Sequence, residues 1–441
     1  MNQTLPQDVL YILNTLTENG YKAFAVGGCV RDMFLEKVPQ DWDITTSARP
    51  EEIIACFNKT VPTGLAHGTV TVLCGKNAYE VTTFRVDGIY KDHRKPESVT
   101  FTQDIYEDLS RRDFTMNAMA YHPDAGLFDP FGGREDIKKK LIRCVGDPRV
   151  RFDEDALRML RAVRFSAQTG FSIDGDILSA MGRLAPLISA ISGERVRDEL
   201  VKILMSDRPA EIKILHETGI LRHILPELDR CFTTSQNHPY HIYNVGDHTL
   251  SVLENTPKKL ILRFAALLHD VGKPDKKTTD EEGIDHFYGH ETASVAHAED
   301  IFLRLRLDNK TKDAVLLLIR EHDRRFAPTK KSIRHAVSAV GKDVFPDLMA
   351  LQKADIAGQN PAYLKERLLH FESVMAFYEE ICADADALTV ADLAIGGSDL
   401  MNLGYRGKEI GEMLSLALNL VLDDPALNQK EILLKKLQNI D

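Results

Sequence analysis

Alternating apolar and polar residues, the mark of half-buried strands, occupy the first third of this chain and stop near residue 150. From there to about residue 440 the apolar spacing is that of a helix, so the chain must join a mixed α/β head to an all-helical remainder. Its 441 residues exceed one ordinary core, and at about 100–200 residues per domain they predict three or four units. Breaks at "SAISGER", "SQNHPYH", "DKKTTDEEGID" and "IAGQNPAY" divide the helical part, and no fixed-period repeat is visible.

In the head, "DVLYILNTLTENG" reads as a helix closed by Gly20, followed by a strand "KAFAVGG" and a short helix "RDMFLEK". "DWDITT" reads as a strand, "RPEEIIACF" as a helix, and "TVTVLCG" and "YEVTTFRV" as strands. On a strand, Asp41 and Asp43 share one face and Trp42 takes the other. Two adjacent carboxylates repel each other unless a cation sits between them, and oxygen ligands of this kind suit Mg²⁺. The Gly27–Gly28 turn allows close backbone approach, and its amides together with Arg31 could hold a triphosphate. A D-x-D pair by itself is equally two solvated acids.

Composition limits the function classes. Hydrophobic residues make up 44% and charged residues 27%, the balance of a folded globular protein. No apolar run reaches the roughly 18–20 residues of a membrane span, and the start has acids and no basic segment, so a cytoplasmic protein with no membrane partner is expected. Six scattered cysteines give neither a zinc ribbon nor a disulfide framework. The net charge of −11 argues against a uniformly basic nucleic-acid binder, but local basic runs stand at "RRD" (111), "REDIKKKLIR" (134) and "RVRFDEDALRMLRAVRF" (149).

The run "GGCVRD" followed by "DWDITT" resembles the opening signature of the DNA polymerase beta-like nucleotidyltransferases. Within that group it is similar to the class II branch of bacterial CCA-adding tRNA nucleotidyltransferases and poly(A) polymerases. "RRDFTMNAMA" (111–120), "EDALRMLRAVRF" (154–165) and "ERVRDEL" (194–200) match further family motifs in order. The resemblance implies an α+β fold: a nucleotidyltransferase head with a small mixed sheet, then a helical neck, body and tail. It implies a head at 1–145, a neck for nucleotide selection and RNA binding at 146–232, an HD-type domain at 233–360 and a tRNA-binding tail at 361–441.

It also implies Asp41 and Asp43 as catalytic Mg²⁺ ligands, with Glu80 on "AYEVTTFRV" as a third. Gly28, Arg31, Arg112, Asp155, Arg158, Arg161 and Arg164 become nucleotide- or RNA-backbone-binding residues. The residues themselves support a helix over the third motif: Ala156, Leu160, Val163 and Ala167 share a face, Glu154 and Asp155 occupy a first turn, and Asp155 and Arg158 are neighbours three apart. That pair is either an ordinary helical salt bridge or, as the resemblance implies, a protein template. In the second case the carboxylate accepts from the exocyclic amine of cytosine or adenine and the guanidinium donates to the ring. The segment "DGIYKDHRKP" is similar to the loop of enzymes that add all three nucleotides. The implied partners are tRNA, CTP and ATP; the oligomeric state is not given by the sequence.

A second constellation, His248, His269–Asp270 in "LLHDVGKP", His290 and Asp355, combines imidazole and carboxylate in a way that suits a divalent transition metal. It resembles an HD-type phosphohydrolase. His297 and His322 are further ligands or surface residues, the latter preferred for His297, and Ser398 is a candidate helix cap in the tail. The expected activity is CTP/ATP-dependent addition of the tRNA 3′-CCA. Rivals are a poly(A) polymerase with the same head, an RNA-directed HD phosphohydrolase, and a non-catalytic RNA-binding protein.

Overall fold

Helix α1 (Gln7–Glu18) forms because Val9, Ile12, Leu13 and Leu16 fall on one face, and Gly20 ends it at φ +89°. That face packs with Ile53 of α3 (Pro50–Cys56) under one side of a mixed sheet, against Ala23, Ile44, Val70, Val72 and Val81. The sheet contains β1 (Ala23–Val26), β2 (Ile44–Thr46), β3 (Thr60–Gly64), β4 (Thr69–Cys74) and β5 (Asn77–Thr83). Between β1 and β2 runs α2 (Gly28–Phe34). Small ribbons follow, β6 (Arg85–Asp87) with β9 (Val99–Phe101) and β7 (Tyr90–Lys91) with β8 (Lys95–Pro96), and then β10 (Ala120–His122) and β11 (Gly126–Phe128). The sheet order is β11-β10-β1-β2-β5-β4-β3, antiparallel except for β2 beside β5. Val26, Phe84, Leu109, Ala118 and Ala120 form a second cluster.

The computed structural model describes residues 5–88, 90–91, 95–96 and 98–439, arranged as two units, Met1–Pro226 and Glu227–Asp441. Residues 89 and 92–94 of the loop expected to favour addition of all three nucleotides lie outside the described residues. No helix among the described residues is long and apolar enough to cross a membrane.

Several expectations need correcting. The ladder of β2 begins at Ile44, so Asp41 and Asp43 lie in the segment entering the strand, although the Asp43 carbonyl still accepts from Val26 N at 3.0 Å. The third motif is not one helix. It ends α6 (Pro148–Glu154) and starts α7 (Leu157–Thr169), with Asp155 extended at φ −140°, ψ 102° between them. Strands also persist past 150, in two-residue pairings too short to show alternation: Ser172–Ile173 with Leu141–Ile142, and Thr278–Thr279 with Asp285–His286.

Unit 2 is built on helices Val245–Asn255, Leu260–Leu268, His290–Leu305, Asn309–Glu321 and Phe345–Ala357, followed by the long helix Pro361–Ala383. A separate apolar cluster of Leu400, Ala417, Val421, Leu433 and Leu437 holds its C-terminal helices. There the helix Gly397–Asn402 is closed by Asp399, whose carboxylate accepts from Gly396 N at 3.0 Å, and not by Ser398.

Gly133 opens the helix Gly133–Lys139 directly against a turn, and a Cβ there would stand 2.2 Å from the Thr115 carbonyl oxygen. Gly133→Ala must displace that turn and should cost about 1–3 kcal/mol. Gly175→Ala, where nothing lies within 4 Å of the added Cβ, is the control. The expected result is a lower thermal midpoint for the first variant alone.

Candidate functional site

In unit 1 a cleft of about 670 Å³ brings together Gly28, Arg31, Asp41, Asp43, Arg112, Asp155, Arg158, Arg161 and Arg164, every sequence-predicted head and neck residue except Glu80. Alternation accounts for one wall. Ile44 and Val81 are register partners buried on the α1 side, so their predecessors Asp43 and Glu80 face the other way. Asp41 and Asp43 are exposed at their surface. The protein mass around Asp43 nonetheless raises its carboxyl pKa by desolvation; Arg112 opposes the shift, and the neighbouring Glu80 and Asp41 charges add to it. Asp41 and Asp43, with Glu80 close enough to perturb Asp43, supply carboxylate oxygens of the kind a hard cation takes.

The opposite wall is guanidinium-rich. Gly27 takes φ +80°, and a Cβ there would lie 3.0 Å from Arg112 Nη1, so glycine is required for this approach. Arg31 donates to Asn117 Oδ1 at 2.9 Å, and Asn117 donates to Asp113 at 3.1 Å. Arg161 donates twice to Asp113 Oδ2, at 2.7 and 2.5 Å. Arg164 pairs with buried Glu199 at 3.1 Å. The Phe165 ring lies under all three of these arginines, at 5.1 Å from Arg31, 5.5 Å from Arg161 and 4.0 Å from Arg164. Burial, and then the Arg161 charge, pulls the Arg164 pKa down to about 10. The Nε atoms of Arg112 and Arg164 are buried without a hydrogen-bond partner. Each of these arginines has a carboxylate partner, Asp32 for Arg31, Asp108 for Arg112, Asp113 for Arg161 and Glu199 for Arg164, and the orphaned Nε–H donors of Arg112 and Arg164 are what remains to favour an anion.

Asp155 and Arg158 do not pair with each other. The helix break places Asp155 at the start of α7, where Oδ1 accepts the Leu157 amide at 3.1 Å, and Arg195 donates to its two oxygens at 3.3 and 2.8 Å. Arg158 instead donates to Glu154 at 2.6 Å and to the carbonyls of Arg151 and Arg111. Oδ2 keeps acceptor capacity, and Arg158 keeps Nε–H and one Nη2–H.

In unit 2 the four histidines His248, His269, His290 and His322 each point Nδ1 at a backbone carbonyl: Gly358 at 3.1 Å, Ala266 at 2.9 Å, Phe287 at 2.9 Å and Ile319 at 2.7 Å. A carbonyl only accepts, so each Nδ1 donates there and each Nε2 is the ring nitrogen left for a ligand, a lone pair whenever the imidazole is neutral. The four Nε2 atoms converge on two carboxylates. His248 Nε2 lies 3.0 Å from Asp355 Oδ1, His269 Nε2 lies 3.2 Å from Asp270 Oδ2, and His290 and His322 Nε2 lie 3.4 and 3.7 Å from Asp270 Oδ1. His290 and His322 Nε2 are only 3.2 Å apart, and His269 Nε2 is buried without a partner. Burial pushes the Asp270 carboxyl up, yet His269 and Lys273 hold it well below the carboxylate range; His248 likewise holds Asp355 down against burial. Two ligand trios, His248/His269/Asp270 and Asp270/His290/His322, share Asp270 and fit metal ions. His297 stands apart, paired with Asp275 at 2.5 Å.

Residues 23–143 match the profile of the poly A polymerase head domain, 170–232 that of a probable RNA and SrmB-binding site of polymerase A, and 240–391 the HD domain. The CCA-adding enzyme of Geobacillus thermodenitrificans is 51% identical over 219 residues, 49% of this chain and 54% of that protein. That of Limosilactobacillus reuteri is 48% identical over 213 residues, 48% and 53% of the two chains. The crystal structure of the Bacillus stearothermophilus CCA-adding enzyme in complex with CTP superposes with a TM-score of 0.76 at 29% identity, covering 99% of each chain.

The chain carries a poly A polymerase-type head, a polymerase A RNA-binding segment and an HD domain, and over its length it is similar to a CCA-adding enzyme. Its match spans about half the length of the curated relatives. The family's head motifs also contain residues that the sequence reading passed over. Asp113 and Asn117 lie within "RRDFTMNAMA", and Arg195 and Glu199 within "ERVRDEL". Their signal was present in the motifs, but which cation each one holds is set by tertiary structure.

Buried Asp113 has its pKa lowered to about 2, because Arg161 and Asn117 outweigh the burial that would raise it. Its folded value is depressed, so the stabilisation is present above the unfolded carboxyl pKa and fades as pH falls from about 4 toward 2. Asp113→Asn should cost on the order of 2 kcal/mol at pH 7, and variant and wild type should converge in urea unfolding as pH approaches 2.

Proposed function

We propose that the unit 1 cleft adds CMP and AMP residues from CTP and ATP to the 3′ end of tRNA, building or repairing CCA without a nucleic-acid template. The observation that carries this is the meeting, in one cleft, of Asp41 and Asp43 beside Glu80, an arginine wall with orphaned Nε–H donors, and Asp155 and Arg158 with free hydrogen-bonding capacity. The similarity to CCA-adding enzymes, one of them holding CTP, supports it. The division of labour is a head at 1–145, a neck at 146–232, an HD domain at 233–360 and a tRNA-binding tail at 361–441, in a cytoplasmic protein.

Arg31, Arg112, Arg161 and Arg164, with the backbone at Gly28, hold the triphosphate. Asp155 Oδ2 accepts from the exocyclic amine of cytosine or adenine and Arg158 donates to the ring; uracil and guanine carry a carbonyl oxygen at the position of that amine and would face the carboxylate with an acceptor. Arg195 fixes the Asp155 carboxylate while it reads the base. The RNA 3′-hydroxyl attacks the α-phosphorus, and the bond to the bridging oxygen breaks so that pyrophosphate leaves with the electron pair. Mg²⁺ held by Asp41 and Asp43, with Glu80 as third ligand, would supply hydroxyl activation and charge neutralisation.

The test gives purified protein, Mg²⁺ and tRNA trimmed to its discriminator base either CTP, ATP or both, and sequences the 3′ ends. CCA that stops after three additions is expected; long A tails would mean a poly(A) polymerase, and CC alone one half of a split system. Asp41→Ala with Asp43→Ala should abolish incorporation, and His269→Ala should leave it intact.

A second reading assigns unit 2 a metal-dependent phosphohydrolase activity, carried by the convergence of four Nε2 atoms whose Nδ1 partners are backbone carbonyls. A divalent transition metal there would supply a Lewis acid and a nucleophilic hydroxide. The shared Asp270 predicts two ions in unit 2. In Mn²⁺ titrations on a background of Asp41→Ala with Asp43→Ala, which removes the head site, His322→Ala should bind one equivalent fewer, while a stoichiometry of one with and without His322 would remove the second ion.

A further inference from the structure

The unit 2 ligands open into a cavity of about 760 Å³, large enough for a nucleotide. Two features of its lining do nothing for the metal ligands. Tyr288 is 80% exposed, two residues before His290, and its ring lies parallel to that of His286, at 7° with centroids 5.4 Å apart. His286 is anchored in turn by Asp280 at 2.8 Å. A single exposed tyrosine is commonplace, but one held flat by a fixed partner at the edge of a metal cavity is a preformed stacking platform.

The second feature is Arg367, half-buried, with its guanidinium 5.5 Å over the Tyr240 ring and no carboxylate ion pair among the described residues. Burial lowers its pKa, Arg325 repels it, and Asp355 attracts it, which places its charge within the field of a metal ligand. A cation so placed suits a phosphate oxygen.

We propose that this cavity contains a nucleotide subsite, in which the Tyr288–His286 ring pair stacks the base and Arg367 holds the phosphate of a nucleotide ester presented to the metal ligands. The proposal rests on the phosphohydrolase reading of unit 2. It makes Tyr288 and Arg367 specificity-determining residues that separate nucleotide esters from phosphate esters lacking a base.

The full chain, loaded with Mn²⁺, is assayed for phosphate release from adenosine 2′-monophosphate and from glycerol 2-phosphate, since phosphate release excludes nucleotide binding in the head. Tyr288→Ala should raise KM for the nucleotide about tenfold with kcat little changed, and leave glycerol 2-phosphate kinetics as they were. Tyr288→Phe should restore the nucleotide KM. Equal loss on both substrates, or no change on either, overturns the subsite.

A second readout needs no turnover and no metal. Trp42 is the chain's only tryptophan, so Trp42→Phe with Tyr288→Trp places a lone fluorophore in the cavity. Quenching by adenosine 2′-monophosphate but not by ribose 5-phosphate, weakened by Arg367→Ala, supports the subsite; absence of quenching overturns it. If the wild type hydrolyses neither ester, the phosphohydrolase reading fails, and the fluorescence still decides the subsite.

Discussion

The Asp113 carboxylate holds the unit 1 cleft in shape. It is buried, accepts twice from Arg161 of α7 and once from Asn117, and also accepts from the Phe114 amide. Asn117 passes the constraint to Arg31 of α2, so one anion fixes the positions of two guanidiniums borne on separate elements. A buried charge of this kind is costly to strip of its partners, and the arginines are therefore held in place before any ligand arrives. Phe165 completes the arrangement by giving three guanidiniums one common aromatic ring.

Having been placed and paired, these cations still have donors without acceptors. Asp113 and Glu199 each engage arginines, yet buried Nε atoms remain unpaired on Arg112 and Arg164. The carboxylates across the cleft have the opposite deficit. Asp41 and Asp43 stay exposed, the setting in which a hard cation can keep part of its water shell. The unit 2 ligands contrast with this: buried, nitrogen-rich, and locked by backbone carbonyls into one tautomer. The two sites thus ask for different ions on the grounds of donor type and hydration alone.

Much of this was legible in the sequence, and the failures have physical causes. The apolar face of α1 and the alternation of β4 and β5 could be read because each buries one side on a single core. β3 escaped because Val61, Pro62 and Thr63 are exposed on an edge strand, which removes the alternation. The break at Asp155 escaped because the 3.6-residue pattern of Ala156, Leu160, Val163 and Ala167 continues past it. An acid that looks like a first-turn residue is instead the side chain that accepts the Leu157 amide where α7 begins. Once the helix is broken there, the expected i,i+3 pair is replaced by Glu154–Arg158 at i,i+4 and by a bridge to Arg195, forty residues away. His322 was undecidable for a similar reason: it closes an amphipathic helix, and only tertiary folding sets its Nε2 against His290.

The acidic total and the proposed RNA substrate are reconciled by where the charge lies. With a net charge of −11 the chain repels a polyanion at long range over most of its surface, and only a local excess of guanidinium can reverse that. The cleft supplies such an excess at the place where a triphosphate and an RNA end would have to meet. An overall basic protein would gain affinity for any nucleic acid, most of it non-specific and lost as salt rises. An acidic protein whose arginines are gathered in clefts gives up that general affinity and keeps attraction for substrates whose shape and phosphates reach the site, as the proposed addition to an RNA end requires.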